Sequence, residues 1–304
     1  MQSTYAKIIK EVCSEENIEL SAFSYDWVFS MKKEGKFRYI LAYHFDLNTA
    51  AVQAICKDKS AASDILSHHG IPCVLHSIFM SPSSGYTPKE GNGKYLHALL
   101  DKYGKIVCKP NEGASGTNVF AVSTGAELEA AADKIWKTAQ SMALSPYYDI
   151  EKEFRVIVLN GEVKLIFSKE IPYIKGDGRS TLAQLLAAEG RGVLSAELMP
   201  LDLGVVLQKD ETFKLGWKHN LAHGAVPQIV SDEAVISGLS KLALKAATAM
   251  NIKFASIDII LAEGGYKILE VNSGVMMEHF ASSSASNYEK AKKIYGEAIK
   301  LMFA

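Results

Sequence analysis

Three residues near the C-terminal end have types and spacing that could share one cation: Asp258, Glu270 and Asn272. They lie in the stretch Phe254-Ala-Ser-Ile-Asp-Ile-Ile-Leu-Ala-Glu-Gly-Gly-Tyr-Lys-Ile-Leu-Glu-Val-Asn272, two β-branched runs around Glu263-Gly264-Gly265. The pattern predicts an antiparallel hairpin whose three-residue turn uses Gly for positive φ. In that register Ala262 faces Tyr266, and four residues back on each side Asp258 faces Glu270. Side chains alternate along a strand, so Asn272 shares the face of Glu270. Like charges directly opposite one another destabilise a sheet unless something positive sits between them. Mg²⁺, which takes one or two carboxylates and completes its shell with substrate phosphates, would fit. The competing reading is an edge hairpin with its acids in solvent, and the hairpin alone does not decide between the two.

A second candidate lies earlier. Lys105-Ile-Val-Cys-Lys-Pro110 reads as a strand, Asn111-Glu-Gly-Ala-Ser-Gly-Thr117 as a glycine-bearing loop, and Asn118 to Val122 as the returning strand. Backbone N–H groups in such a loop can lie over phosphate oxygens. The loop lacks the GxxxxGK[ST] spacing and the following helix of a Walker loop, and a plain hairpin turn is the alternative. Lys109 is the residue that does not suit a plain hairpin: an ammonium among apolar neighbours needs an anionic partner, and a phosphate is one.

Around these residues the chain reads as mixed helix and strand. Helical spacing covers residues 1–20, Asn48 to Cys56, Ser60 to His69, Tyr95 to Tyr103, Glu127 to Ser141, Leu182 to Glu189, Asp232 to Met250 and the stretch from Tyr288. Strands are expected over Phe23 to Ser30, Phe37 to Tyr43, Cys73 to Phe79, Val156 to Leu159 and Glu162 to Ser168, the last two joined by Asn160-Gly161. Ser81 to Gly93 reads as a surface loop.

Composition bounds the rest. The 304 residues suffice for a large core and for two or three lobes about a cleft. A formal net charge of −1 argues against a basic face for nucleic acid, and no apolar run reaches membrane-spanning length. Cys13, Cys56, Cys73 and Cys108 form no CxxC pair, which points to buried thiols in a reducing cytoplasm. The first residues lack the charged and apolar regions of a signal peptide.

Taken in order, five segments resemble the ATP-grasp ligases, in particular the branch of glutathione synthetase, cyanophycin synthetase and the ribosomal-protein glutamate ligases. They are Asp58-Lys59 with Gly70-Ile71-Pro72, Val107-Cys-Lys109-Pro110 with its glycine loop, Glu153-Phe-Arg155, Lys218-His-Asn220-Leu221, and Asp258 with Glu270-Val-Asn272. Gly176-Asp-Gly-Arg-Ser-Thr-Leu182 is similar to a loop of cyanophycin synthetase. The resemblance runs from about Asn48 to His279.

It implies an α+β ATP-grasp fold with two lobes gripping ATP, after a short N-terminal lobe. The expected divisions are 1–100 for that lobe, 101–155 for the small grasp lobe and 156–304 for the large lobe with the metal site. Lys59 and Lys109 would hold the inner phosphates, and Gly113, Ser115 and Gly116 would close over them. Tyr148 and Ile150 would belong to the hinge at adenine, and Glu153 would meet the ribose. Arg155 and Lys218 would contact the transferring phosphoryl group, and Asn220 would lie near the substrate. Asp258, Glu270 and Asn272 would bind one or two Mg²⁺, with Mn²⁺ as a substitute.

The activity implied is ATP-dependent joining of a carboxylate to an amine through an acyl phosphate, releasing ADP and phosphate. The alternatives are a nucleotide-binding regulator or assembly subunit without chemistry, and a small-molecule kinase. Expected partners are a small carboxylate and an amino acid or peptide amine, with no nucleic acid or membrane; a homodimer is left open. Two departures bear on the acceptor side. Ser256 stands where many relatives carry Arg, and Glu270-Val-Asn-Ser-Gly-Val-Met-Met-Glu278 lacks the proline of the family's EvNxxPG ending. His219 and His223 read as loop residues and Met276-Met277 as packing.

Overall fold

The computed structural model describes residues 3–85, 92–113, 116–171, 173–188, 202–214, 221 and 225–304. Two compact units divide the chain: residues 1–167 with 229–304, and residues 168–228. Among the described residues no helix is long and apolar enough to cross a membrane.

The first unit opens with α1 (Thr4–Glu15), which turns Tyr5, Ile8, Ile9, Val12 and Cys13 inward at helical spacing. Its N-terminal donors are met partly by Ser3 and partly from the far end of the chain. Both oxygens of Glu278 accept backbone N–H groups at 2.7 Å, one from Thr4 and one from Tyr5. A four-stranded antiparallel sheet follows: β1 (Glu19–Phe23), β2 (Val28–Lys33), β3 (Lys36–Leu41) and β4 (His44–Phe45). The apolar run expected as one strand, Phe23 to Ser30, is broken. Ser24, Tyr25 and Asp26 all take positive φ, so the chain reverses between β1 and β2 without a glycine.

Helices α2 (Ala50–Lys57) and α3 (Lys59–His68) come next, the second capped by Asp58, whose carboxylate accepts the Ala61 N–H. A second four-stranded sheet has the order β5-β8-β6-β7, from β5 (Ser77–Met80), β6 (Ile106–Pro110), β7 (Phe120–Val122) and β8 (Ser141–Pro146). Helices α4 (Asn92–Tyr103) and α5 (Gly125–Trp136) cover one face of it, where Leu100, Leu128 and Ile135 meet Ile106, Cys108 and Leu144. Alternation turns Lys109 to the other face. Two expectations fail here. The helix expected from Glu127 to Ser141 ends at Trp136, and Ser141 begins a strand. The strand expected from Cys73 begins at Ser77, with Pro72 to Val74 lying instead along Ile268 of the larger sheet.

That larger sheet has the order β13-β10-β9-β14-β15, from β9 (Lys152–Leu159), β10 (Glu162–Glu170), β13 (Val226–Ile229), β14 (Phe254–Ala262) and β15 (Gly265–Asn272). One face of β9, β14 and β15 is wholly apolar: Phe154, Val156, Val158, Ala255, Ile257 and Ile259 share a core with α7 (Glu233–Ala249). α8 (Glu278–Ser282) and α9 (Ala285–Phe303) finish the unit. The second unit has its own small core, Ile174, Leu182, Leu186 and Leu207, built on the hairpin β11 (Tyr173–Lys175) with β12 (Thr212–Lys214) and on α6 (Leu182–Ala188).

Candidate active site

Opposite the apolar face, the same three strands carry charge. Arg155 on β9 is paired across the ladder with Asp258 on β14, and Asp258 with Glu270 on β15, so the three form one cross-strand row. Glu153 lies two residues along from Arg155 and hence on the same face, only 7% exposed. The facing of Asp258 and Glu270 matches the sequence expectation, but the path to it differs. The turn is two residues long, with Ala262 paired to Gly265 rather than Tyr266. The register then shifts between Asp258 and Ile259, whose partners are Glu270 and Ile268, leaving Leu269 as one extra residue on β15. This β-bulge re-aims the strand and restores the pairing that the shorter turn would have displaced.

Each carboxylate has its own cation. Arg155 Nε and Nη2 donate to the two oxygens of Asp258, both at 2.8 Å, a bidentate pair in which Asp258 is 3% exposed. Burial opposes the guanidinium charge, but Asp258 outweighs it and holds the Arg155 pKa above its ordinary value. Glu270 Oε1 faces Lys59 Nζ at 3.2 Å and Lys109 Nζ at 4.0 Å. Burial alone would raise the Glu270 pKa, yet the two lysines together bring it below the ordinary carboxylate value. Lys109 is pushed the other way: burial drops its pKa to about 8, against the pull of Glu270. Lys59 also donates to the carbonyl of Gly113 at 3.0 Å, tying the start of α3 to the glycine loop.

The remaining predicted residues divide into those the structure brings close and those it does not describe. Gly113 and Gly116 flank the loop, Gly116 with φ +71°. Tyr148 and Ile150 pack with Val74, Ile260 and Ala262, beside the polar row. Asn272 is paired with Ser256, and alternation sets it on the Glu270 face. Ser115, Lys218 and Asn220 lie outside the described residues, as do His219 and His223.

Two residues were missed by sequence reasoning. His76 is 4% exposed, with neither ring nitrogen paired among the described residues. Burial, then Lys109 and Lys59, force its pKa well below the usual imidazole value, so it is a neutral group near two ammoniums. Asn111 is 1% exposed; its side-chain oxygen accepts the Ser60 N–H and its backbone carbonyl accepts the Lys59 N–H, while its Nδ2 has no partner among the described residues. The only available signal was a polar residue within or just after an apolar strand run, and Lys109 had already claimed that signal.

The segment after Asn272 is fixed without proline. Val275 N–H donates to Tyr43 O at 3.0 Å, and the Tyr295 hydroxyl accepts from Met277 N–H at 2.9 Å and donates to Val275 O at 2.8 Å. Gly274 lies close to the His44 ring: a Cβ there would stand 3.0 Å from it, so the ring would have to give by a few tenths of an ångström.

The donors opposite the apolar face are all oxygens, two carboxylates and an amide. Among the described residues no group of three or more His, Cys, Asp or Glu forms an all-protein metal cage. Mg²⁺ does not need one, because it keeps waters and substrate phosphates in its shell. The residues present therefore suit a cation shared with phosphate.

Residues 208–295 match the RimK-like ATP-grasp domain. Among solved structures, a bifunctional glutathione synthetase from Pasteurella multocida superposes with a TM-score of 0.57 at 14% identity, covering 97% of this chain and 44% of that one. This is an ATP-grasp fold. The D-alanine–D-alanine ligase of Bacillus anthracis gives a TM-score of 0.53 at 17% identity, covering 83% of this chain and 67% of that one. In sequence, the chain is 27% identical over 136 residues to cyanophycin synthetase of Trichormus variabilis, covering 44% of this chain and 14% of that protein. It is 40% identical over 57 residues to tetrahydromethanopterin:alpha-L-glutamate ligase of Methanocaldococcus jannaschii, 19% of each chain. Each of these matches thus spans less than a fifth of the curated relative.

Proposed function

We propose that this chain is an ATP-dependent carboxylate–amine ligase that forms an amide through an acyl phosphate and releases ADP and phosphate. The observation that carries the reading is the convergence of Lys59 and Lys109 on Glu270, in the same row as the Arg155–Asp258 pair. Arg155, Asp258, Glu270 and Glu153 share one face of the sheet, and Lys59 and Lys109 reach Glu270 from α3 and β6. Such a face can accept a nucleotide by exchanging internal ion pairs for pairs with phosphate. The ligase names borne by the similar proteins agree with this reading.

Carboxylates are poor electrophiles, and phosphorylation supplies a leaving group. The protein's work is then positioning and charge neutralisation. Lys59 and Lys109 would turn from Glu270 to the inner phosphates, with the loop of Gly113, Ser115 and Gly116 closing over them. Tyr148 and Ile150 would line the adenine end, and Glu153 would accept from ribose hydroxyls. Arg155 and Lys218 would steady the transferring phosphoryl group, with Asn220 near the acceptor. Asp258, Glu270 and Asn272 would hold Mg²⁺ or Mn²⁺, which when bound supplies neutralisation of the outer phosphate oxygens. The proposed lobes remain residues 1–100, 101–155 and 156–304.

The test is ATP turnover with pairs of carboxylates and amino acids or short peptides, read by mass spectrometry. A product heavier than one substrate by the other less water, with ADP and phosphate, supports the proposal. AMP as product, or transfer to a hydroxyl without condensation, would overturn it. Glu270→Gln should lower turnover on the order of 10²-fold or more while the fold persists.

A further inference from the structure

His76 sits on a short connection that the first turn of α3 holds in place. Ser60 Oγ donates to the His76 carbonyl at 3.0 Å, and the His76 N–H donates to Ser63 Oγ at 3.1 Å. Ser63 Oγ donates in turn to the Ser60 carbonyl at 3.0 Å. Asn111, just beyond β6, fixes the same turn by accepting the Ser60 N–H at 3.1 Å and the Lys59 N–H at 3.2 Å. All five residues are buried. A backbone tied down this fully presets where the imidazole points.

The imidazole itself is left unpaired. The Val74 carbonyl approaches the ring, but neither nitrogen completes a hydrogen bond among the described residues. A buried polar group without a partner is destabilising, and native chains keep few of them. The ring shares a cavity of about 10 Å³ with Lys59, Ser63 and Glu270, room for one water at most. Burial, then Lys109 and Lys59, keep the ring neutral, so one nitrogen carries a proton to donate and the other does not. Lys109 Nζ also makes no hydrogen bond among the described residues, with Glu270 Oε1 standing 4.0 Å away. Unpaired donors on an ammonium and on a nearby imidazole, both buried, suit one acceptor-rich group between them. A phosphate is such a group.

We propose that His76 is a phosphate-binding residue of the nucleotide site, its ring N–H donating to an inner phosphate oxygen of ADP or ATP beside Lys59 and Lys109. The inference rests on the ATP-dependent reading of this site and adds a group which that reading does not use. The cavity is too small for a phosphate while Lys59 sits on Glu270, yet that ion pair forms part of its wall. Turning Lys59 to the inner phosphates, as the proposed function requires, opens the wall and brings the ring to the same oxygens. A neutral donor serves here where a third cation would not. It adds a hydrogen bond without further crowding of positive charge around Lys59 and Lys109.

Isothermal titration of the full chain with ADP, ATP and adenosine, each with excess Mg²⁺, tests this. His76→Phe keeps the bulk of the ring and removes both nitrogens. It should weaken ADP and ATP binding roughly 10- to 100-fold and leave adenosine within about twofold. Without nucleotide it should melt no lower than wild type, since an unpaired buried group is lost. His76→Gln, which restores an N–H donor, should recover part of the ADP affinity, and His76→Leu stands in should His76→Phe fail to fold. A folded His76→Phe or His76→Leu chain that binds ADP as wild type does would overturn the proposal, the outcome expected if only a water meets the ring. So would an equal loss for adenosine, or a wild-type chain that binds no ADP. The ligase reading fails on a different measurement: release of AMP or transfer to a hydroxyl would end it, while the ratio of ADP to adenosine affinity still decides on His76.

Discussion

Two antiparallel sheets of this molecule depart from ordinary patterning in opposite directions. The β9–β14–β15 face covers charge: Asp258 and Glu153 are buried, and Arg155 and Glu270 partly so. The β1–β3 face exposes rings where polar residues would lie. The first arrangement costs desolvation and is stabilised by internal pairing; the second leaves apolar area in water. Both sheets have a conventional opposite face, so the fold itself does not depend on either departure. Under the proposed function, the first departure is where nucleotide would bind.

The largest effect that could break this comparison comes from the buried pair. Arg155→Met removes the bidentate partner of buried Asp258 and should destabilise the chain by about 3–5 kcal/mol in denaturant unfolding. Arg155→Met with Asp258→Leu should recover most of that loss while abolishing nucleotide turnover. A single variant as stable as wild type would mean that the charge is not held in the fold.

The next effect is read from pH. Burial brings folded Lys109 to about 8 from an ordinary 10.5. Between those values the unfolded chain binds more protons than the folded one, so the contribution of this group to stability rises with pH across that window. Lys109→Met should therefore be stabilised relative to wild type near pH 7, by on the order of 3 kcal/mol at most, and the gap should narrow towards pH 10. A gap independent of pH would show that Lys109 is well solvated.

A smaller effect tests the contact between the N-terminal sheet and the segment beyond Asn272. Gly274→Ala sets a Cβ 3.0 Å from the His44 ring and should cost about 1 kcal/mol, less if the ring gives way. The smallest belongs to the exposed sheet. In dilute protein Tyr39→Ser should change stability by about 0.5 kcal/mol, because Tyr39 is 53% exposed and outside the core. A loss near that of Arg155→Met would erase the contrast.

The sequence made the charged face legible because a hairpin's side chains alternate whatever its loop. Asp258 and Glu270 meet as expected, yet through a shorter turn and a compensating bulge at Leu269, two local features that cancel in the register. Periodicity cannot separate such a pair. β8 was hidden because Ser141–Pro146 follows an alanine-rich helix, and Met142, Ala143 and Leu144 suit either structure. The break between β1 and β2 was hidden because positive φ falls on Ser, Tyr and Asp, not on glycine. His76 and Asn111 draw their character from elements distant in sequence, α3 above all.

The capping of α1 by Glu278 has a consequence for the order in which the molecule is made. The partners are separated by 273 and 274 positions. At roughly 5–20 residues per second, the first helix would wait about 15–55 s on the ribosome before its cap exists. During that wait its apolar stripe, which includes Ile8, Ile9 and Val12, has no α9 to pack against. Nascent chains should therefore engage a chaperone through α1, and release should coincide with emergence of α9.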